Sequence, residues 1–156
     1  MILRSIVLLW LSLPLAGCLG PSWDSVDAEM SLGQAWREFN GAAVARGFRT
    51  DLGATDHGLR TYRSTWKPKA TGELGRRGRV RLHGKITPVD GQTGFVKIEY
   101  YVERQNVEDL AKVNFPTEED YCEDGQDVIE QRYVGQNLRA RLDVDQLSQP
   151  LIEPGT

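Results

Sequence analysis

Two cysteines, two histidines and a run of carboxylates are the side chains in this 156-residue chain suited to covalent, acid–base or metal chemistry. Cys18 closes the string Leu15-Ala16-Gly17-Cys18, a thiol behind two small residues at the end of an apolar stretch. Cys122 lies in Glu118-Glu119-Asp120-Tyr121-Cys122-Glu123-Asp124. Reactive cysteines sit in electropositive surroundings that favour the thiolate, so Cys122 reads as inert. His57, in Asp56-His57-Gly58, has no matched nucleophile and reads as part of a turn. His83 falls in an alternating run, and neither histidine stands in metal-ligand spacing with another ligand. Tested as a calcium loop beginning at Asp120, the acidic stretch puts Gly125 in the sixth position. It then puts Cys122 where an oxygen ligand is needed and Gln131 where the bidentate glutamate belongs, which rejects that loop. There is no Gly-x-Ser-x-Gly, and Gly72 to Gly78 lacks phosphate-loop spacing. The sequence therefore offers no catalytic residue, no metal set and no cofactor site.

The start of the chain carries the most specific information. Arg4 supplies a positive n-region, Ile6 to Leu15 an apolar core, and Ala16 and Gly17 a small-residue approach to Cys18, the layout of a secretory leader. A spanning helix needs about 20 apolar residues, and this run is interrupted at Pro14 and ended by Gly20-Pro21. Leu15-Ala16-Gly17-Cys18 resembles the lipobox of bacterial lipoproteins. That resemblance implies a diacylglycerol on the Cys18 sulfur, cleavage before Cys18 and acylation of the new amine, with Leu15 as the specificity position and Ala16 and Gly17 giving the peptidase room. Several acyl chains, at about 0.8 kcal/mol per buried CH2, make a durable anchor. Leu19 stands where an aspartate would retain such a protein in the inner membrane of enteric bacteria. The expected address is therefore the outer membrane, facing the periplasm.

Hydrophobic content of 40% and charged content of 26% fit one ordinary globular domain, and 16 glycines with 7 prolines point to many turns. The net charge of -3 conceals two opposed stretches. Residues 60–85 carry nine Lys/Arg against Glu73, and residues 108–130 carry nine Asp/Glu against Lys112. The two stretches are expected to lie near each other, with contact to an anionic lipid or wall polymer as the sharper alternative. Arg79, Arg81 and Lys85 are the candidate residues for that contact. An exported protein has no nucleic-acid partner. If Cys18 takes lipid, Cys122 has no partner for a disulfide within the chain.

These side chains need elements to position them. Leu19 to Glu29 reads as a tether. Ser31 with Gln34 forms a capping-box pattern, Leu32, Ala35, Trp36, Phe39, Ala42 and Ala43 recur at helical spacing, and Gly47 stops the helix, which spans Leu32 to Arg46. Trp36 and Phe39 are expected in the core. Leu59 to Trp66 alternates, with Tyr62 and Trp66 on one face, and Lys67-Pro68 ends the run. Val80, Leu82 and Ile86 alternate with Arg79, Arg81, His83 and Lys85, giving a half-buried strand with a basic outer face. After a turn at Pro88 to Gln92, Val96, Ile98, Tyr100 and Val102 form a second strand, paired as a hairpin so that Glu99 or Glu103 offsets the arginines. Asn106 to Pro116 links onward, and Thr117 to Asp120 caps a short helical turn. Asp127 to Leu142 fits both periods; its length and Arg139 and Arg141 near its end favour helix.

The expected fold is α+β: a small antiparallel meander sheet of three or four strands with two helices packed on one face. The expected organisation is a leader over 1–17, a lipidated cysteine and tether over 18–30, a single domain over 31–142 and a flexible tail over 143–156. Ala35-Trp36, Ala45-Arg46-Gly47-Phe48 and the strand ending at Trp66 are similar to the repeat in the C lipoprotein of the outer-membrane β-barrel assembly machinery. That family carries two such units and this chain one. The resemblance implies a non-enzymatic adaptor held at the membrane through Cys18, with an envelope protein complex as partner. A small-ligand carrier with an apolar cavity under the sheet, and an envelope hydrolase with titratable groups such as Asp56, His57 and Cys122 converging in a cleft, are the alternatives.

Overall fold

The computed structural model describes residues 20–71, 76–107 and 116–148. Leu15, Ala16, Gly17 and Cys18, the glycine-rich turn at 72–75, most of the link after Asn106 and the last eight residues lie outside that set. The elements run β1 (Asp24–Glu29), α1 (Leu32–Ala45), β2 (Thr61–Arg63), β3 (Lys67–Thr71), β4 (Arg76–Pro88), β5 (Phe95–Val107), a 3-10 turn (Glu118–Asp120), β6 (Tyr121–Gln126) and α2 (Val128–Ser148). The fold is α+β. Its antiparallel sheet has six strands, where the sequence suggested three or four.

The β4–β5 hairpin is the spine, in register from Gly78 opposite Asn106 to Pro88 opposite Val96. Strand alternation sends Val80, Leu82, Ile86, Val96, Ile98, Tyr100 and Val102 to one face, where they are buried. Both helices cover that face. Helix α1 contributes Ala35, Phe39, Ala42 and Ala43, and α2 contributes Val134, Leu138 and Leu142. Burying Phe39 completely contributes about 1.5–3 kcal/mol. Its ring lies over Gly84, where an added Cβ would stand 2.5 Å from ring carbon Cε1. Helix α1 begins as its sequence indicates: Ser31 Oγ accepts from the Gln34 amide at 3.3 Å, and Gln34 Oε1 accepts from the Ser31 amide at 3.0 Å. It ends before Gly47, whose φ of 76° is a left-handed conformation.

Five expectations are corrected. The tether is shorter than Leu19 to Glu29, because β1 pairs with β5 from Asp24 and turns Val26 and Ala28 toward the core. Pro68 lies inside β3 rather than ending a strand; β3 pairs only with β4, so its missing N–H interrupts no second ladder. Tyr62 and Trp66 do not share a face: the chain leaves strand geometry between β2 and β3, so the twofold alternation is broken there. Cys122 belongs to β6, an acidic edge strand that pairs with β5 beyond an irregularity between Glu103 and Gln105. Helix α2 continues to Ser148, so the expected flexible tail begins inside a helix. Arg139 and Arg141 consequently sit away from the last turn and do not complement the dipole there.

Buried charge fastens α2 to the rest. Glu130 is 4% exposed and takes Arg46 Nε at 3.0 Å and Lys67 Nζ at 2.9 Å, while Asp127 takes Lys69 Nζ at 2.6 Å. Burial alone would raise the Glu130 pKa, but the Arg46 and Lys67 hydrogen bonds and charges hold it below the ordinary 4.5. The basic and acidic stretches of the sequence thus do meet. Where α1 and α2 approach at Gly41, Arg141 passes over the missing side chain and donates to Glu38 at 2.8 Å.

Candidate functional site

The sheet face opposite the helices holds the side chains singled out as a basic surface. Strand alternation on β4 places Arg79, Arg81, His83 and Lys85 there. Arg79 is only 8% exposed, donates Nε to Gln105 and Nη1 to Glu118, and lies between the rings of Trp66 and Tyr121 at 4.4 and 3.9 Å. Arg81 donates Nε and Nη2 to one oxygen of Glu103, directly across the hairpin, and also lies over Trp66. His83 Nε2 is 2.7 Å from the same Glu103 oxygen, and its ring stacks on Tyr101 at 4.5 Å. Trp23 extends the layer with an edge contact to Tyr101. Lys85 is exposed and stands opposite Glu99, which pairs instead with Lys97.

Guanidinium groups stacked on rings and hydrogen-bonded to carboxylates are held in place and largely neutralised. Burial, with the nearby charges of Arg81 and Arg63, lowers the His83 pKa against the opposing effect of Glu103, leaving it below the ordinary 6.5. For Glu103, burial works upward, but the hydrogen bonds from Arg81 and His83 win and hold it below 4.5. His83 is therefore mostly neutral at pH 7 and Glu103 ionised. Trp66 and Tyr121, which complete this layer, were not foreseen, because neither lies on the alternating strand that carries the arginines.

No protein-family model matches the chain, and no curated protein matches it. The geometry of its own residues therefore carries the functional argument.

The other candidate residues are scattered. His57 packs on Trp36 at 4.5 Å, and Asp56 accepts from the amides of Gly58 and Leu59 in a local turn. Cys122 is exposed. Among the described residues, no three His, Cys, Asp or Glu side chains converge to hold a metal. No described helix is long and apolar enough to cross a membrane.

Among the described residues, two cavities lie beside the core. One, of about 300 Å³, opens between α1 and the loop before β2, lined by Trp36, His57, Tyr62 and Leu52, with Asn40 and Thr50 joined by a 2.8 Å hydrogen bond. Phe39 is core, as expected, whereas Trp36 is only partly buried and forms a wall here. The second, of about 250 Å³, lies where β1, β5, β6 and the start of α2 meet. Ser22 is fastened at this junction: its amide donates to Gln126 Oε1 at 3.0 Å, and its carbonyl accepts from Gln126 and Gln131. Tyr100, Arg132 and Arg139 also line it. Arg139 read in sequence as a dipole partner; only the position of α2 over the sheet edge turns it into a cavity residue.

Proposed function

We propose that this is a lipid-anchored cell-envelope protein, a non-catalytic adaptor at the periplasmic face of the outer membrane. The leader ending in Leu15-Ala16-Gly17-Cys18 supports the anchor. The observation that carries the adaptor reading is the outer sheet face, which neither helix covers and which interleaves Trp23, Trp66, Tyr101 and Tyr121 with internally paired arginines. Aromatic side chains and arginine are enriched in protein interfaces, and side chains already held in place lose little conformational freedom on association. Because Arg79 and Arg81 are committed to Glu118 and Glu103, this face favours a protein partner over a bare polyanion.

The test is site-specific photocrosslinking in cells from positions 66 and 101, with position 140 on the exposed side of α2 as control. The expected result is one envelope protein captured from the sheet face alone and lost with Cys18→Ala. Equal capture from all three positions, or capture unaffected by Cys18→Ala, would sink the reading.

The cavity beside Trp36 and Tyr62 favours a second reading, in which the domain carries a small apolar ligand. An apolar probe that quenches tryptophan fluorescence in the native chain but not in Trp36→Ala would support it.

A further inference from the structure

We infer that the cavity fastened at Ser22 binds the phosphate of an anionic phospholipid headgroup, a site resting on the reading of Cys18 as the membrane anchor.

Arg132 and Arg139 stand seven residues apart on α2, so two helical turns place both on the side that lines this cavity. Neither has a carboxylate partner among the described residues, in contrast to Arg79, Arg81 and Arg141. Tyr100 lines the same space, its hydroxyl lying against Gly135 of α2 on the side of Arg139. Its pKa is raised by burial and by the charge of Asp24, against the opposing effect of Arg139, so it remains a hydroxyl donor. Asp24 is the acid in the lining, which leaves two guanidinium groups against one carboxylate. The α2 amides of Glu130 and Gln131 are already taken by Asp127, so the arginines supply the attraction for an anion.

Two features choose a lipid over dissolved phosphate. One apolar side chain stands at the mouth: Val128, which lines the cavity, is 62% exposed. An exposed valine beside two guanidinium groups suits the boundary between headgroups and acyl chains. The second feature is reach. Ser22 is four residues from Cys18, at most about 14 Å of extended chain. An acylated Cys18 therefore holds the cavity within headgroup distance of the bilayer, and the hydrogen bonds to Ser22 prevent β1 from swinging away from it.

The experiment uses residues 18–156 carrying Cys18→Ser, which contain every described element and no acyl chain. Flotation with phosphatidylcholine vesicles is compared with vesicles that also contain phosphatidylglycerol. Binding is expected only in the second case. Arg132→Gln with Arg139→Gln should weaken it about thirtyfold, from two basic residues at about 1 kcal/mol each near an anionic surface. Arg60→Gln with Lys85→Gln removes the same charge from exposed positions and should change it much less. Tyr100→Phe, which keeps the ring, should weaken binding several-fold with the circular dichroism spectrum unchanged. Equal losses from both double variants, or no preference for the anionic vesicles, overturns the site. Displacement by inorganic phosphate at constant ionic strength identifies a soluble-anion site and overturns the lipid assignment. The anchor reading is judged separately, by the mass of the Cys18 peptide from cells: an unacylated peptide overturns that reading and leaves the vesicle result standing.

Discussion

Arginines occupy two regions of this molecule under opposite conditions. On the outer face of the sheet, Arg79 and Arg81 are sandwiched by aromatic rings and hydrogen-bonded to Glu118 and Glu103. At the sheet edge, Arg132 and Arg139 line a cavity and have no carboxylate partner among the described residues. The first pair comes from the most basic stretch of the sequence, yet its charge is answered within the fold. The second pair comes from a helix with no conspicuous excess of charge. A run of like charge thus records composition, whereas availability to a ligand depends on what stands across the hairpin or over the helix. On the proposed readings, the neutralised arginines serve as a ring-stacked surface for another protein, and those with no carboxylate partner among the described residues serve an anion.

Stability measurements can break this contrast, and the largest effect should come from the buried acid that is fully committed. Glu130→Ala should cost about 3 kcal/mol in urea unfolding, near the lower end for breaking a buried ion pair. The value is at that end because Arg46, Lys67 and Lys69 keep some contact with solvent. Glu103→Ala should cost about 2 kcal/mol, since it leaves both Arg81 and His83 without their shared acceptor. Arg132→Gln with Arg139→Gln should shift stability by less than about 0.5 kcal/mol, as changes to exposed side chains do. A larger loss from that variant than from Glu103→Ala would invert the contrast and assign the edge arginines a structural role.

Acid sharpens the same comparison. His83, Glu103 and Glu130 all have folded pKa values below their ordinary ones, so the folded protein resists protonation that the unfolded chain accepts. Their contribution is complete above 6.5 for His83 and above 4.5 for the glutamates, and it is lost as pH falls through the lowered folded values. The urea midpoint should therefore fall steadily with acidification, beginning just below 6.5. His83→Gln should flatten that first part alone. A midpoint that rises on acidification from neutral pH would contradict the sheet-face geometry.

Local patterns were enough to read several elements. The Ser31–Gln34 box, the spacing of Ala35, Phe39 and Ala42 and the stop at Gly47 specify α1 within a few turns of chain, and the β4–β5 alternation with its Arg81–Glu103 pairing follows from register across one short turn. These features depend on neighbours close in sequence or directly across a hairpin. Strands β1, β3 and β6 were not legible: β1 and β6 are edge strands stabilised by pairing with a segment farther along the chain, and Pro68 in β3 and the acids around Cys122 in β6 oppose strand formation locally. The hydrophobic leader, the opposed charged stretches and the amphipathic faces were thus determined by sequence alone. The tertiary structure decided which arginines are neutralised, because Trp66, Glu118 and Tyr121 reach Arg79 from elsewhere in the chain. It likewise decided that Ser22, Tyr100, Arg132 and Arg139 share one cavity, since only packing of the start of α2 against the β1–β5–β6 edge brings residues so far apart in sequence within reach of one ligand.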